Sequence, residues 1–162
     1  MPMQNDQNYP MVKIIEWDQH PDYIRLDTTK NDEWYIYQFR YLKIYLEKVI
    51  KGWSIKDFFD DLSPEKIAVY ADTIFTDILI GDLRRNTEKP LYISDKKIEN
   101  EVEKSGVFYI PPTQLLEKYR KGEVCKIIVC GMFLENIIID SLLDMGFELD
   151  DIVTLSTILL HD

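Results

Sequence analysis

The sequence predicts an α/β protein built on an open parallel sheet flanked by helices, with an N-terminal β-hairpin and an aromatic amphipathic helix ahead of it. Two observations carry this. From residue 66 onward four near-continuous apolar runs, "KIAVY", "PLYIS", "VFYI" and "CKIIVC", have the pattern of parallel strands buried on both faces. Between and after them, residues 74–85, 96–104, 113–120 and 134–145 place apolar side chains at helical spacing. Strand alternating with helix implies right-handed crossovers between neighbouring parallel strands.

Taken in order, "MPMQNDQNYP" is polar with two prolines and reads as a loose arm. "MVKIIEW" and "YIRLD" are β-prone runs around the turn-rich residues 18–22, so a hairpin is expected there. Over 31–53, Tyr35, Phe39, Leu42, Leu46 and Val49 recur at spacings of four and three and form one helical stripe. Arg40, Lys43, Glu47 and Lys51 form the opposite face. Trp34, Tyr37, Tyr41 and Tyr45 make a flank that widens the stripe beyond what one packing surface needs. That flank either packs on the hairpin of the same chain or is a subunit contact, since aromatics are enriched at interface centres; these four are the candidate interface residues of a homodimer. Gly52 suits the helix end, and Ser54 with Asp57 three residues on reads as the start of a short helix stopped at Ser63-Pro64. Thr113 is the expected N-cap of a later helix, Gly146 the C-terminal stop of another, and "DIVTL" a last strand. The natural division is a part over 1–63 and an α/β part over 64–162, one cooperative unit, because 162 residues suit a single core.

Nineteen Lys and Arg against 29 Asp and Glu give a net charge of −10, which opposes a phosphate backbone. Nucleic acid is therefore excluded as an expected partner. No apolar run approaches the roughly 20 residues of a membrane-spanning helix, and a soluble cytoplasmic protein is expected. Cys125 and Cys130 are five apart in one strand, on opposite faces and about 16 Å from each other, too far for a disulfide.

In an open parallel sheet, ligands bind beyond the strand carboxyl ends where strand order reverses. With Lys66 to Tyr70 as first strand and Cys125 to Cys130 as fourth, that crevice is lined by Ala71-Asp72-Thr73 and Gly131-Met132-Phe133. In this region "KGWSIKDFF", "KIAVYADTIFT" and "LYISD", followed by "IPPTQLL", "KIIVC" and "IVTLSTIL", resemble the small Rossmann-like domains found in bacterial surface-polysaccharide biosynthesis, similar to nucleotide-sugar-modifying and dinucleotide-binding proteins. The resemblance covers about 34–160 and is one of architecture. It implies a nucleotide or nucleotide-sugar site with Asp95 at the place of the ribose-binding acid. Where that pattern carries three glycines, this sequence has Ala71, Thr73 and Thr76, and Asp72 sets a negative charge at the helix start where a phosphate would lie.

Asp72 or Thr73 is also a favourable N-cap, and Asp95 a favourable turn residue, so the loop is as readily a helix start without a ligand. No nucleophile elbow, phosphate-binding loop or metal-ligand spacing occurs in the sequence. Cys130 has no neighbouring histidine to activate it; Glu135, at a helix start, suits the dipole there without any catalytic role. Two functions are expected from this. The first is a non-catalytic accessory or regulatory protein acting through protein–protein contacts in surface-glycan biosynthesis. The second is an enzyme or sensor binding NAD(P) or a nucleotide sugar through Asp72, Thr73, Asp95, Gly131 and Met132.

Overall fold

A computed structural model describes residues 32–131 and 134–161. Packing divides the chain into a unit up to Tyr37 and a larger one from Gln38. Of the first unit only the opening of helix α1 (Asp32–Ile50) is described; the expected hairpin over 11–26 lies outside the described residues.

The larger unit continues α1 and adds a short helix α2 (Ile55–Phe58), strand β1 (Ile67–Tyr70), helix α3 (Ile74–Arg84), strands β2 (Leu91–Ser94), β3 (Val102–Lys104) and β4 (Val107–Ile110), helix α4 (Pro112–Arg120), strand β5 (Lys126–Val129), helix α5 (Glu135–Met145), strand β6 (Ile152–Thr154) and helix α6 (Leu155–Leu160). The sheet runs β3-β4-β2-β1-β5-β6. All neighbours are parallel except β3, antiparallel to β4 at one edge. The chain builds outward from β1 to β2 and β4, then returns through α4 to add β5 on the other side of β1. That reversal leaves the crevice between the carboxyl ends of β1 and β5. The architecture is α/β with a mostly parallel sheet, compatible with a Rossmann-like fold.

Successive strand residues point to opposite faces, so the sheet feeds two cores. Ile67, Val69, Leu91, Ile93 and Ile128 pack with α3, α6, Ile55 and Tyr45 on one face. Ala68, Tyr70, Ile110, Ile127 and Val129 pack with Leu115 of α4 and Leu142 of α5 on the other. No helix among the described residues is long and apolar enough to cross a membrane.

Three sequence expectations are corrected, and one element, α6, is added to those expected. Residues 96–104 do not form a helix. Asp95 starts a turn, its Oδ1 accepting the Lys97 amide at 2.9 Å, and β3 follows. Lys104 pairs with Val107 across Ser105-Gly106, whose φ angles of 52° and 78° are both left-handed, as a two-residue hairpin requires. α4 begins at Pro112, so Thr113 is inside the helix and Pro111 is its cap; a proline in the first turn lacks only an amide that would have no helical partner there. After β6 the chain adds α6, capped by Thr154 Oγ1, which accepts the Thr157 amide at 3.1 Å.

The last correction concerns α1, which is rotated from expectation: Leu42 and Val49 of the expected stripe do pack partly buried against the core, but the tyrosine flank carries the rest of the buried side. Phe39, Leu46 and Ile50 are 71%, 48% and 83% exposed, while Tyr45 is 8% exposed and Tyr41 packs partly buried against the core. The polar tips explain it. Tyr45 donates to Asp82 Oδ2 at 2.8 Å, and the Tyr41 hydroxyl lies 2.9 Å from Ser156 Oγ. Lys48, on the same side of the helix, donates to the His161 carbonyl at 2.7 Å and lies over the Trp53 ring. Of the four residues expected at a subunit contact, Tyr41 and Tyr45 are thus taken up by the chain's own core. Tyr37 is exposed on the first unit, and the Trp34 side chain lies outside the described residues.

Candidate functional site

A cleft of about 250 Å³ opens beyond the carboxyl ends of β1 and β5. Ala71, Asp72 and Thr73 line one side, Asp95, Lys96 and Lys97 a second, and Gly131, Leu134 just before α5, and Ile137 and Ile138 within it a third. Four of the five crevice residues expected from sequence, Asp72, Thr73, Asp95 and Gly131, therefore come together around one space. Met132 lies outside the described residues. Sites for drug-sized ligands run to about 300–1,000 Å³, so this cleft has the size of a fragment rather than a dinucleotide.

The turn after β1 keeps a glycine-like backbone without the glycine. Ala71 has a φ of 80°, in the left-handed region that costs a residue with a Cβ about 1–2 kcal/mol. Three bonds hold it there. The Ala71 amide donates to the Ser94 carbonyl at 2.8 Å, its own carbonyl accepts the Thr76 hydroxyl at 2.7 Å, and the next amide, Asp72, donates to Asp95 Oδ2 at 2.9 Å.

The start of α3 is equally self-contained. Thr76 Oγ1 accepts the Thr73 amide at 2.8 Å, Thr73 Oγ1 accepts the Phe75 amide at 3.3 Å, and the Thr73 carbonyl accepts the Thr76 amide at 3.0 Å. These amides would face a phosphate bound at the helix start. Here oxygens of the chain itself hold them. Asp95 is occupied on both oxygens, Oδ2 by Asp72 and Oδ1 by Lys97.

Gly131 has a packing reason to be glycine. A Cβ built on it runs into Cδ1 of Ile138, so its absence lets α5 close on the end of β5. Thr73 Oγ1 lies 3.2 Å from Cys130 Sγ, tying the β1 turn to the end of β5.

The electrostatics are acidic at the turn. Burial, then the charges of Asp77 and Asp95, push the Asp72 carboxyl above its ordinary range, and Lys104 and Lys97 offset part of this. The Tyr70 phenol is raised by burial and then by Asp95. Burial pushes the Cys130 thiol up to about 11; hydrogen bonds from Thr73 and Thr76 pull it back, and Glu135 and Asp72 add to the rise. A thiol so placed is protonated at neutral pH and is no nucleophile. Glu135 does not line the cleft; it accepts the Ser156 hydroxyl at 2.6 Å and joins α5 to α6. His161, the described histidine, stacks edge-on against Phe58 at 5.3 Å and does not line the cleft either.

Sequence reasoning missed two features. Ser94 Oγ is fully buried without a hydrogen-bond partner among the described residues, on the sheet face it shares with its register neighbour Tyr70. Leu134 and Ile137 stand 53% and 66% exposed at the mouth; their signal was the run "LENIII", more apolar surface at a helix start than one buried face takes up. Comparison with protein-family models, curated proteins and solved structures returns no match.

Proposed function

We propose that this chain is a non-catalytic Rossmann-like accessory or regulatory protein that acts by binding a protein partner or a second copy of itself. The observation that carries the proposal is the state of the crevice. The amides of Asp72, Thr73, Phe75 and Thr76 are engaged by Asp95, Thr76 and Thr73 of the same chain. A phosphate arriving there would have to displace a carboxylate and approach Asp72, whose ionisation is already disfavoured by burial and then by its acidic neighbours. The Cys130 thiol is held protonated and Glu135 is bound to Ser156, so neither of these two residues serves as an activated nucleophile or a free acid at the space. The place of this activity in bacterial surface-glycan biosynthesis rests on the sequence resemblance alone.

A second reading, an enzyme or sensor for a nucleotide or nucleotide sugar, is favoured by two observations. Ala71 keeps the left-handed turn, and the cleft lies at the reversal of strand order. A thermal-shift panel with NAD(H), NADP(H), S-adenosylmethionine and nucleotide sugars separates the two. A ligand at 100 times its Kd adds about 2.7 kcal/mol, or roughly 2–4 °C for each kcal/mol in a chain of this size. We expect no shift. A reproducible shift that is absent in Thr73→Trp, a variant expected to melt cooperatively at a Tm lowered only by the loss of its helix cap, would establish the second reading instead.

A further inference from the structure

Resting on the proposed mode of action through protein contacts, we propose that the outward face of α1 is a self-docking surface on which a second copy pairs antiparallel about a two-fold axis. Phe39, Lys43, Leu46 and Ile50 recur at spacings of four, three and four along one line of the helix. With Leu42 and Glu47 they line a shallow groove of about 190 Å³. The core lies on the opposite side, through Tyr41 and Tyr45, so this line is free of the chain's own sheet. A 4-3-4 spacing is the seam of a two-helix coil, and a single lysine within such a seam sets register and orientation.

The charges choose the orientation. Lys43 and Glu47 form an exposed ion pair at 3.7 Å on one helix. In a parallel two-fold pair, Lys43 would meet Lys43 of the second copy in the middle of the seam, two like charges with apolar neighbours. In an antiparallel pair centred between residues 44 and 45, Phe39 faces Ile50 of the second copy and Lys43 faces its Leu46. The lysine stem then lies on leucine while its ammonium reaches Glu47 of the second copy. The two-fold makes this contact twice, as an isologous interface requires. Apolar residues at the centre with charges beside them is the expected anatomy of such a contact.

The test uses the full chain in sedimentation velocity and light scattering. The wild type is expected to be a dimer and Leu46→Glu a monomer with unchanged circular dichroism, its urea midpoint lowered only by the lost association and independent of protein concentration. Lys43→Glu and Glu47→Lys each put like charges across both symmetric contacts and should weaken dimerisation about tenfold. Mixed in equal amounts, those two variants should form a heterodimer, because the two acids of one copy then meet the two lysines of the other at both contacts. The pair within each helix stays like-charged in both variants, so recovery on mixing reports the contact between copies.

A monomeric wild type, or a dimer untouched by Leu46→Glu, overturns the surface. A dimer broken by Leu46→Glu in which mixing restores nothing overturns the antiparallel pairing. A monomer whose residues 1–31 cross-link to Leu46→Cys would show instead that the chain covers this face itself. Failure here leaves the crevice argument intact, whereas a ligand-induced shift in the thermal panel would fall on the proposed function and not on this surface.

Discussion

Asp82 is the residue whose loss should hurt the fold most. Its side chain is 1% exposed and accepts four donors: the Tyr45 hydroxyl at 2.8 Å, the Ser54 hydroxyl at 2.8 Å, the Ile55 amide at 2.9 Å and Arg85 at 2.9 Å. One carboxylate on α3 therefore fastens both α1 and α2. In Asp82→Ala the Tyr45 hydroxyl and the Ile55 amide lose their acceptor, each at about 1–3 kcal/mol, while the half-exposed Arg85 turns to water. The sum is about 3–5 kcal/mol, as for other buried charges stripped of a partner, and a large share of the roughly 5–15 kcal/mol that holds an ordinary domain. In urea, with a slope of about 2 kcal/mol per molar, the midpoint should fall by roughly 2 M. Tyr45→Phe leaves three of the four donors in place and should cost only about 1–1.5 kcal/mol. The tyrosine supplies a further check. Burial first, then the hydrogen bond and charge of Asp82, hold its hydroxyl above the ordinary range. The folded chain thus keeps a proton that the unfolded chain releases above about pH 10, and stability falls as pH rises past that point. Tyr45→Phe lacks this loss, so the gap between it and wild type should narrow above about pH 10. An Asp82→Ala cost under about 1 kcal/mol at an unchanged slope would refute the reasoning, since it would mean that the carboxylate is not desolvated.

Other outcomes follow from the crevice and its surroundings. Gly131→Ala should destabilise by no more than about 1 kcal/mol, because the atom it meets, Ile138 Cδ1, is a side-chain tip bordering the cleft, and Ile138→Val, which removes that atom at about 1 kcal/mol alone, should make the double variant milder than the sum in urea unfolding. Cys125, partly exposed, should react with a thiol reagent at about pH 8 while Cys130 stays silent until urea unfolds the chain; equal rates would contradict the burial described for Cys130. Asp72→Asn should stabilise the protein at neutral pH and not at about pH 3, because a folded-state carboxyl raised above its unfolded value makes ionisation work against folding. Two urea series at those pH values decide it. Gly106→Val should cost more than about 1 kcal/mol by the same melts, its φ of 78° being unfavourable for a β-branched side chain and Arg84 Nη2 lying 3.2 Å from the added Cβ.

The central strands were legible because burial on both faces makes them unbroken apolar runs, and their places in the sheet follow from the alternation with helices. Residues 96–104 were misread because Ile98 and Val102 happen to be four apart. The better signal was Ser105-Gly106 before an apolar run, which marks a hairpin. The inward side of α1 was only partly legible, with Leu42 and Val49 facing the core but Phe39 and Leu46 not, because apolar side chains occur on most of its circumference. Periodicity then gives no unique inside, and the two tyrosine hydroxyls settle it through Asp82 and Ser156. The cleft residues were legible from topology alone, since the place where strand order reverses does not depend on detail. What fills their hydrogen bonds was not. The link from Asp72 to Asp95 crosses 23 residues and exists only once β1 and β2 are side by side.

That link has a consequence for any attempt to turn the crevice into a working site. Placing glycine at 71, 73 and 76 would make room for a diphosphate, yet the carboxylate of Asp95 would still stand as the resident anion on the Asp72 amide, while the loss of the Thr73 and Thr76 hydroxyls would loosen the start of α3. The closed state is held by side chains at both ends of the turn. An opened one therefore needs Asp95 changed first and the glycines second, and chains carrying either step alone should be weaker in folding without being better at binding.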